Sequence, residues 1–500
     1  VSRENLGEMP GLIAGASLLI DYILTVAVSI VAGSAAVTSA LVASGYAEEI
    51  ENLDALLPDF LNLNVVLSLF FIGLMTLANL RGIRESGTIF ALATYLFIIG
   101  LSITLLVGFF KLLTGTLVPA TPPPILPATE PITILLILRA FSAGAVAMSG
   151  VEAVSNGVPA FEKPESKNAA TTLTIMATLL GVFFLGVTYL SSHMGLVPGE
   201  ETIISQMALA IFGTSLPYYI FQVATTGILI IAANTAFAGF PRLASALARD
   251  NYMPHQFLFR GDRLAFSTGI GALGVIASLL VIAFQGKVDS LIHLYAIGVL
   301  LAFSLSNSGM VIHWLKSKAG NWQTSIIING AGAVLSIITL VIVAITKFAL
   351  GAWIVIVLIP IIVSLFLYIH HHYSRVRQQL HIIDNQAFPN RIEQLVVVPI
   401  DDLNYASLRA IAFARTISRD AVVLHIGTNE ERAEKIKTKI QKYAPDMKLV
   451  IVDSPYRAFV RPLLAYVDAV HSQYPSAFVT IVLPEFITAH FGERFLHNRT

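Results

Sequence analysis

Cysteine is absent from the 500-residue sequence, which excludes disulfides, thiolate metal sites and thiol nucleophiles. Charge is also scarce. Asp, Glu, Lys and Arg make up 12% of the chain, against about 25% in average soluble domains. The formal net charge is zero, so the total charge favours no nucleic acid or other charged partner. Together these deficits exclude an ordinary soluble enzyme, a disordered protein and a basic nucleic-acid binder.

The motifs of ATP-driven pumps and of common hydrolases are missing as well. The sequence has no Walker A loop, no HExxH and no GxSxG. It also offers no nucleophile–base set. We therefore predict neither an enzyme nor an ATP-driven pump, and we expect no catalytic residue and no resident cofactor.

Apolar residues are abundant instead, at 55% of the chain with a mean hydropathy of +0.76. Residues 1–373 carry only 33 charged side chains, whereas residues 374–500 carry 29. This contrast predicts a membrane domain at 1–373, a polar linker at 374–390 and a soluble domain at 391–500. The sequence begins with Val and ends inside the predicted soluble domain, so we expect a fragment that lacks residues at both ends.

Ten stretches are apolar and long enough to cross a bilayer, whose ~30 Å core takes about 20 helical residues. They cover approximately residues 11–43, 63–80, 88–114, 132–158, 169–195, 213–241, 267–285, 288–314, 325–348 and 351–373. Helices are favoured because backbone polar groups find no water in lipid. Basic residues concentrate in alternate connections, which the positive-inside rule assigns to the cytoplasm. We therefore expect a multi-pass protein of a bacterial-type plasma membrane with both chain ends cytoplasmic.

Past residue 373 the pattern changes to short apolar runs that alternate with helical segments. The runs cover residues 395–400, 421–426, 448–452 and 478–483, and the helical segments cover 403–418, 430–443 and 458–473. Such alternation predicts a parallel sheet with crossover helices.

Asp21 is the most costly residue of the membrane domain, because a charge near the bilayer midplane costs several kcal/mol unless it is satisfied. Thr25 and Ser29 follow at i+4 and i+8 and share its helix face, and Tyr22 lies beside that face. A carboxylate with hydroxyl oxygens suits a hard cation or a proton. The alternative is a protonated Asp21 that bonds to a neighbouring helix.

A second feature interrupts the predicted helix at 132–158. The interrupting residues are Gly150, Gly157 and Pro159. Transporters break helices near the midplane so that free backbone groups coordinate the substrate, and Ser149 adds a hydroxyl at this break. For Glu152, beside this break, the sequence leaves two roles open: proton carrier and structural partner. The alternative is a proline-kinked packing helix with Glu152 near the inner interface.

Long motifs give the chain a resemblance to a known family. Residues 234–257 resemble the NTAF…FPRL…LARDxYMPxxF signature of the amino acid–polyamine–organocation (APC) superfamily, and SGVEAVSN resembles its broken sixth helix. The segment ENLGEMPGLIAGASLLIDYILTVAVS looks similar to the third helix of the KimA-type (KUP-like) potassium importers. That branch also carries a soluble tail similar to universal stress proteins.

The resemblance implies a LeuT-type inverted-repeat fold of twelve helices, of which the first two are absent here, and a universal-stress-protein-like α/β tail. It implies an ion site made of Asp21, Tyr22, Thr25, Ser29, Ser149 and Tyr295. Chemistry alone favours an interfacial or packing role for Tyr295 over a ligand role, so this assignment rests on the resemblance. The family further implies a homodimer and control by cyclic di-AMP, a nucleotide signal. The tail lacks the GxxG…G(S/T) nucleotide loop of ATP-binding stress proteins, so the sequence leaves nucleotide binding open.

We therefore expect a secondary active transporter that takes up potassium together with protons by alternating access. The runner-up is a proton-coupled amino acid symporter, because most of the superfamily carries amino acids. A third possibility is a transport-dead membrane sensor whose tail reads a nucleotide.

Overall fold

A computed structural model describes most of the chain. The residues outside the description are 59, 83–86, 117–131, 145–149, 151–153, 155–156, 159–160, 198, 200, 260–265, 380–392, 428–429, 455–458 and 485–500. The chain divides into two compact units, Val1–Leu380 and His381–Thr500.

Helices are the regular secondary structure of the described residues in the first unit. They are α1 Ser2–Leu6, α2 Glu8–Ala43, α3 Ala47–Leu56, α4 Leu63–Leu80, α5 Gly87–Leu113, α6 Ile134–Gly144, α7 Glu165–Met194, α8 Ile203–Phe212, α9 Leu216–Arg249, α10 Ser267–Ala283, α11 Val288–Ser317, α12 Trp322–Lys347 and α13 Ala352–Gln379. Short 3-10 helices lie at His255–Leu258 and Phe348–Leu350.

Eight helices in the described part of the chain are long and apolar enough to cross a membrane: α2, α4, α5, α7, α9, α11, α12 and α13. Each coincides with a predicted stretch. The predicted stretch at 267–285 is α10, which has 17 residues, and the described start of the stretch at 132–158 is α6. Large apolar side chains such as Phe70 and Leu106 are 63% and 70% exposed, which suits a surface that faces lipid rather than water. The expectation of a multi-pass membrane domain is confirmed.

Helix α2 lies at the centre of this unit and packs against α4, α9 and α11. Ala16, Ala27 and Val31 on α2 are fully buried, since small side chains let neighbouring helices approach closely. The hydroxyl groups of Ser17 and Ser34 donate to the carbonyl oxygens four residues earlier, at 2.8 and 3.0 Å. These bonds let polar side chains remain inside a helix surrounded by apolar groups.

Helix α9 runs eight residues beyond the predicted end at 241 and contains Pro241 in its interior. The apolar stretch stops there because Arg242 and Arg249 lower the hydropathy. The helix continues because Ala244 and Ala248 are buried on one face. Amphipathic packing therefore replaces uniform hydrophobicity over the last turns of α9.

A cluster of charged and aromatic groups, here called the Tyr252 cluster, joins the start of α2 to the loop after α9 and to α13. Arg3 pairs with Asp250, and the Tyr252 hydroxyl donates to the Glu8 carboxylate. The His370 ring of α13 stacks on Tyr252 with centroids 4.4 Å apart. Burial and the bond to Glu8 raise the pKa of Tyr252 to about 12. Three separate parts of the chain therefore meet at one tyrosine.

The second unit contains a four-stranded parallel sheet in the order β3-β2-β1-β4. Its elements are β1 Gln394–Ile400, α14 Tyr405–Ile417, β2 Ala421–Gly427, α15 Glu430–Tyr443, β3 Lys448–Asp453, α16 Val460–Gln473 and β4 Phe478–Ile481. Val398 pairs with Val423 at the sheet centre, and both are fully buried. The predicted parallel sheet is confirmed. Strand β4 is two residues shorter than expected, because its ladder with β1 ends at Ile481.

The loop after β1 is tied down at two points. Asn404 caps α14 by accepting a hydrogen bond from the Ser407 amide at 2.9 Å. Lys439 of α15 donates to Asp402 at 2.7 Å, and this bond is the main cause that lowers the pKa of the Asp402 carboxyl. Because the strand order reverses between β1 and β4, this loop borders the crevice where parallel sheets bind ligands.

Tyr252→Phe tests the Tyr252 cluster. The variant loses a hydrogen bond to a charged group, so we expect the free energy of unfolding at neutral pH to fall by about 1.5 kcal/mol. The pKa of Tyr252 is raised from about 10 in the unfolded chain to about 12 in the folded chain. Its contribution is therefore complete below pH 10 and is lost as pH rises toward 12.

Thermal unfolding of the detergent-solubilised protein from neutral pH to pH 12 measures this difference. Tyr368→Phe, at a 74% exposed tyrosine of α13, is the matched control and should leave stability unchanged. A gap between wild type and Tyr252→Phe that stays constant above pH 10 contradicts the assignment.

Candidate ion-binding site

The residues predicted on the first long helix all lie in the middle third of α2. Asp21 is fully buried, and Tyr22, Thr25 and Ser29 are half-buried. Asp21, Thr25 and Ser29 form a stripe about 12 Å long on one face, because a helix rises ~1.5 Å per residue. The stripe therefore presents oxygen atoms at three successive levels of the membrane domain.

Tyr295 of α11 completes a contact between two helices. Its side chain is 4% exposed, and the Thr25 hydroxyl donates to its phenol oxygen at 3.2 Å. The structure thus brings together two predicted residues that are 270 positions apart in the sequence. Sequence chemistry alone could not pair them, since a single tyrosine in an apolar helix carries no directional signal.

Asp21 lies at a level where α11 packs tightly against α2. A Cβ on Gly298 of α11 would lie 3.2 Å from the Ser17 carbonyl oxygen and 3.8 Å from the Asp21 Cβ. Thr25, one turn after Asp21 on α2, bonds to Tyr295, which precedes Gly298 by about one turn on α11. The contacts therefore run in opposite sequence directions along the two helices. The two helices are therefore antiparallel here, and the turn from Asp21 to Thr25 faces the turn from Tyr295 to Gly298.

Tyr22 faces the third helix of the site, α9. A Cβ on Gly239 would lie 2.5 Å from the Tyr22 Cζ and 2.8 Å from its phenol oxygen. The ring therefore occupies the space that a side chain at Gly239 would fill. Sequence reasoning missed Gly239 and Gly298, although a glycine inside an apolar helix is the signal of such close approach.

Several charged side chains lie near one another toward the start of α11, on the Asp289 side of Tyr295. Lys347 at the end of α12 is only 8% exposed and interacts electrostatically with Arg139 and Asp289. His293 of α11 interacts with the same three charges. Sequence reasoning counted Lys347 as an ordinary residue of a connecting segment, because its burial depends on the packing of α12 against α11.

Two predicted residues, Ser149 and Glu152, lie outside the described residues. Gly150 between them is described and has a φ of +88°, a value that glycine adopts readily and other residues rarely. A regular α-helix cannot pass through that angle. The expected interruption of the stretch at 132–158 is therefore present at Gly150.

The chemistry of the described site is that of oxygen ligands. It combines one buried carboxylate, two hydroxyl groups of α2 and two phenols. Among the described residues no three His, Asp or Glu side chains come together as a metal-binding group. A carboxylate with hydroxyl oxygens is suited to a hard cation without strict geometry rather than to a transition metal.

Comparison with known proteins assigns both parts of the chain. Residues 1–373 match the amino acid permease family, and residues 391–500 match the KimA potassium transporter C-terminal domain. The potassium transporter KimA of Bacillus subtilis (strain 168) is 40% identical over 505 aligned residues, which cover 100% of this chain and 80% of that protein. The chain belongs to the KimA family of membrane transporters. The predicted APC membership is thereby confirmed, and the families it matches are permeases and transporters rather than enzymes.

The bond between Thr25 and Tyr295 can be tested by a double-mutant cycle on the free energy of unfolding. The single variants are Thr25→Val, which keeps the shape of the side chain, and Tyr295→Phe. We expect a coupling energy of about 0.6 kcal/mol and at most ~1.7 kcal/mol, the range of hydrogen bonds between membrane helices.

Unfolding of purified protein in detergent supplies the four values of the cycle. Thr25→Ser retains the hydroxyl group and should retain most of the coupling to Tyr295→Phe. Strictly additive effects of Thr25→Val and Tyr295→Phe would mean that the two side chains do not interact.

Proposed function

We propose that the chain takes up potassium across the plasma membrane together with protons, by alternating access. The observation that carries the proposal is the fully buried Asp21 one turn from the Thr25–Tyr295 hydrogen bond, which links α2 to α11. A buried carboxylate among hydroxyl groups inside a membrane domain is expensive, and its usual reason is a cation or proton pathway. The 40% identity to a potassium transporter over the whole chain supports potassium as the cation.

The proposed site works by replacing water around the ion. Asp21 supplies the negative charge that offsets the cost of bringing a cation into a low-dielectric environment. Hydroxyl oxygens of Tyr22, Thr25, Ser29 and Tyr295 take the place of hydration oxygens, and Ser149 contributes from the broken helix. Because the ligands come from several helices, a movement of one helix against another opens and closes the coordination.

Cotransport requires that potassium and the proton are bound at the same time, so the two cannot share one negative charge. Asp21 is ionised when potassium is bound, because its charge pairs with the ion. Glu152, next to the helix break, is the proposed carrier of the coupled proton. The cargo of the site is thus potassium and protons, and no resident cofactor is proposed.

The alternative cargo is an amino acid. The membrane domain matches a family described as amino acid permeases, so a proton-coupled amino acid symporter has the same helical framework. An amino acid needs partners for both its carboxylate and its ammonium group, whereas the charged ligand proposed for the described site, Asp21, is an anion that pairs only with a cationic group. We therefore favour potassium.

We propose that the soluble unit regulates transport. Its parallel order β3-β2-β1-β4 supports a likeness to universal stress proteins, and ligands of parallel sheets bind where the strand order reverses, here between β1 and β4. Cyclic di-AMP is the proposed ligand, and pairing of two copies in a homodimer is the proposed assembly. The match of residues 391–500 to the C-terminal domain of a potassium transporter supports a tail dedicated to that transporter.

The proposed orientation places both ends of the chain in the cytoplasm. Thirteen Lys and Arg residues lie in one alternate set of connections, and this excess supports a cytoplasmic side that contains the loop after α9. With this orientation the Tyr252 cluster lies at the cytoplasmic end of α2, and Asp289 lies toward the outside.

Asp21→Asn is the test of the ion site. The substitution keeps the size of the side chain and removes its charge, so we expect potassium or rubidium uptake to fall by at least about tenfold, a loss of ~1.4 kcal/mol or more. Uptake is measured in cells that lack their own potassium importers, with membrane abundance of each variant quantified in parallel.

Glu51→Gln, at an exposed carboxylate of α3, is the matched control and should transport like wild type. Wild-type uptake by Asp21→Asn would refute the ion-site proposal. Competition of uptake by amino acids without potassium dependence would favour the symporter alternative. Nucleotide binding with no flux in proteoliposomes would favour a membrane sensor.

A further inference from the structure

Gly239 of α9 leaves a notch into which the tip of the Tyr22 ring fits. A Cβ at Gly239 would lie 2.5 Å from Tyr22 Cζ, 2.6 Å from Cε1 and 2.8 Å from the phenol oxygen. Carbon atoms in favourable contact are about 3.5–4.0 Å apart, so a methyl group there would displace the ring tip by about 1 Å. The position of the Tyr22 phenol oxygen therefore depends on the absence of a side chain on a different helix.

We propose that Gly239 is a positioning residue that sets the location of the Tyr22 hydroxyl and thereby the affinity and size selectivity for the transported cation. This inference rests on the proposed function, because it takes Tyr22 as part of the cation site on α2. Gly239 belongs to the AGFP segment of α9 and does not itself supply a ligand. It acts only through the ring that it accommodates.

The displaced group at this notch is the end of a side chain rather than a backbone. Residues next to Gly239 on α9 are tightly packed, since Phe237 and Phe240 are 2% and 3% exposed. The backbone of α9 is therefore held in place, whereas the contacted atoms of Tyr22 are the far end of a half-buried side chain. An added methyl group should move the phenol oxygen and leave the helices where they are.

Gly298 makes a different kind of contact with the same helix. Its hypothetical Cβ meets the Ser17 carbonyl oxygen at 3.2 Å and no side-chain tip at closer range. A methyl group there would shift backbone against backbone by only a few tenths of an ångström. Gly298→Ala should therefore disturb the Asp21 level slightly, and less than Gly239→Ala disturbs Tyr22.

Two other helical glycines provide matched controls for an alanine series. Gly271 of α10 has no atom within 4 Å of its hypothetical Cβ, so alanine there meets open space. Gly100 of α5 would place its Cβ 2.8 Å from Phe221, which lies in a separate apolar cluster that contains none of the proposed ion ligands. Gly271→Ala controls for the substitution itself, and Gly100→Ala controls for tight packing away from the site.

The measurement is the potassium concentration that gives half-maximal effect, obtained from uptake kinetics and from potassium-dependent thermal stabilisation of purified full-length protein. For Gly239→Ala we expect a rise of roughly threefold to tenfold, the loss produced by one weakened polar contact, with a changed preference between potassium, rubidium and caesium. The maximal rate per transporter should change less than the half-saturation value. Gly298→Ala should give a smaller rise in the same direction.

Gly271→Ala should match wild type, and Gly100→Ala should lower thermal stability without changing half-saturation or selectivity. Tyr22→Phe is the second variant: it keeps the ring in the notch, removes the same oxygen and should raise the half-saturation value as Gly239→Ala does. The Tyr22→Phe result decides the matter if Gly239→Ala does not fold.

The inference is overturned if Gly239→Ala or Tyr22→Phe keeps wild-type half-saturation and selectivity, or if Gly100→Ala raises half-saturation as much as Gly239→Ala. A failure of the proposed function would give a different result: the wild-type protein itself would show neither potassium uptake nor potassium-dependent stabilisation.

Discussion

The burial of the Asp21 carboxylate inside a membrane-spanning helix is the constraint on which the rest of the membrane domain depends. Ionised and unaccompanied, such a group costs more than most single interactions in a protein provide. The surrounding helices therefore have to bring polar atoms and a close backbone to the same level. Tyr295 and Gly298 of α11 meet that requirement from one side, while Gly239 of α9 admits Tyr22 on another.

The same constraint explains why α2 is rich in small and hydroxyl-bearing residues. Lipid tails are as apolar as leucine, so membrane helices associate through close packing and hydrogen bonds rather than through the hydrophobic effect. Ser34 of α2 accepts a hydrogen bond from Ser68 of α4 at 3.0 Å, and Thr226 of α9 donates to the Gly33 carbonyl oxygen at 3.3 Å. These bonds fix α2 against both neighbours, so the level of Asp21 is defined by contacts well outside the site.

Much of this organisation could be predicted from the sequence, because hydropathy and helix periodicity are local properties. The ten apolar stretches, the parallel sheet of the tail and the shared face of Asp21, Thr25 and Ser29 follow from spacing alone. The partner of Thr25 does not, since it lies 270 residues away and depends on the packing of α2 against α11. Gly239 was missed for a related reason: a glycine inside an apolar helix signals close approach, but it does not show which side chain of another helix fills the space.

The geometry also bears on how access to such a site can alternate. Packed interfaces tend to switch between discrete arrangements rather than deform continuously. At the Asp21 level, Gly298 leaves so little space between α11 and the α2 backbone that an added Cβ would lie 3.2 Å from the Ser17 carbonyl oxygen, and at the next level the Thr25 hydroxyl bonds to Tyr295. A small rotation of α11 would break that bond before it separated the backbones. In the proposed site only the Tyr295 phenol oxygen would then leave the cation, because Asp21 and Thr25 both lie on α2. On this proposal Asp21 belongs to the part of the site that stays in place and Tyr295 to the part that moves, so a helix shift changes the coordination number without moving the charge.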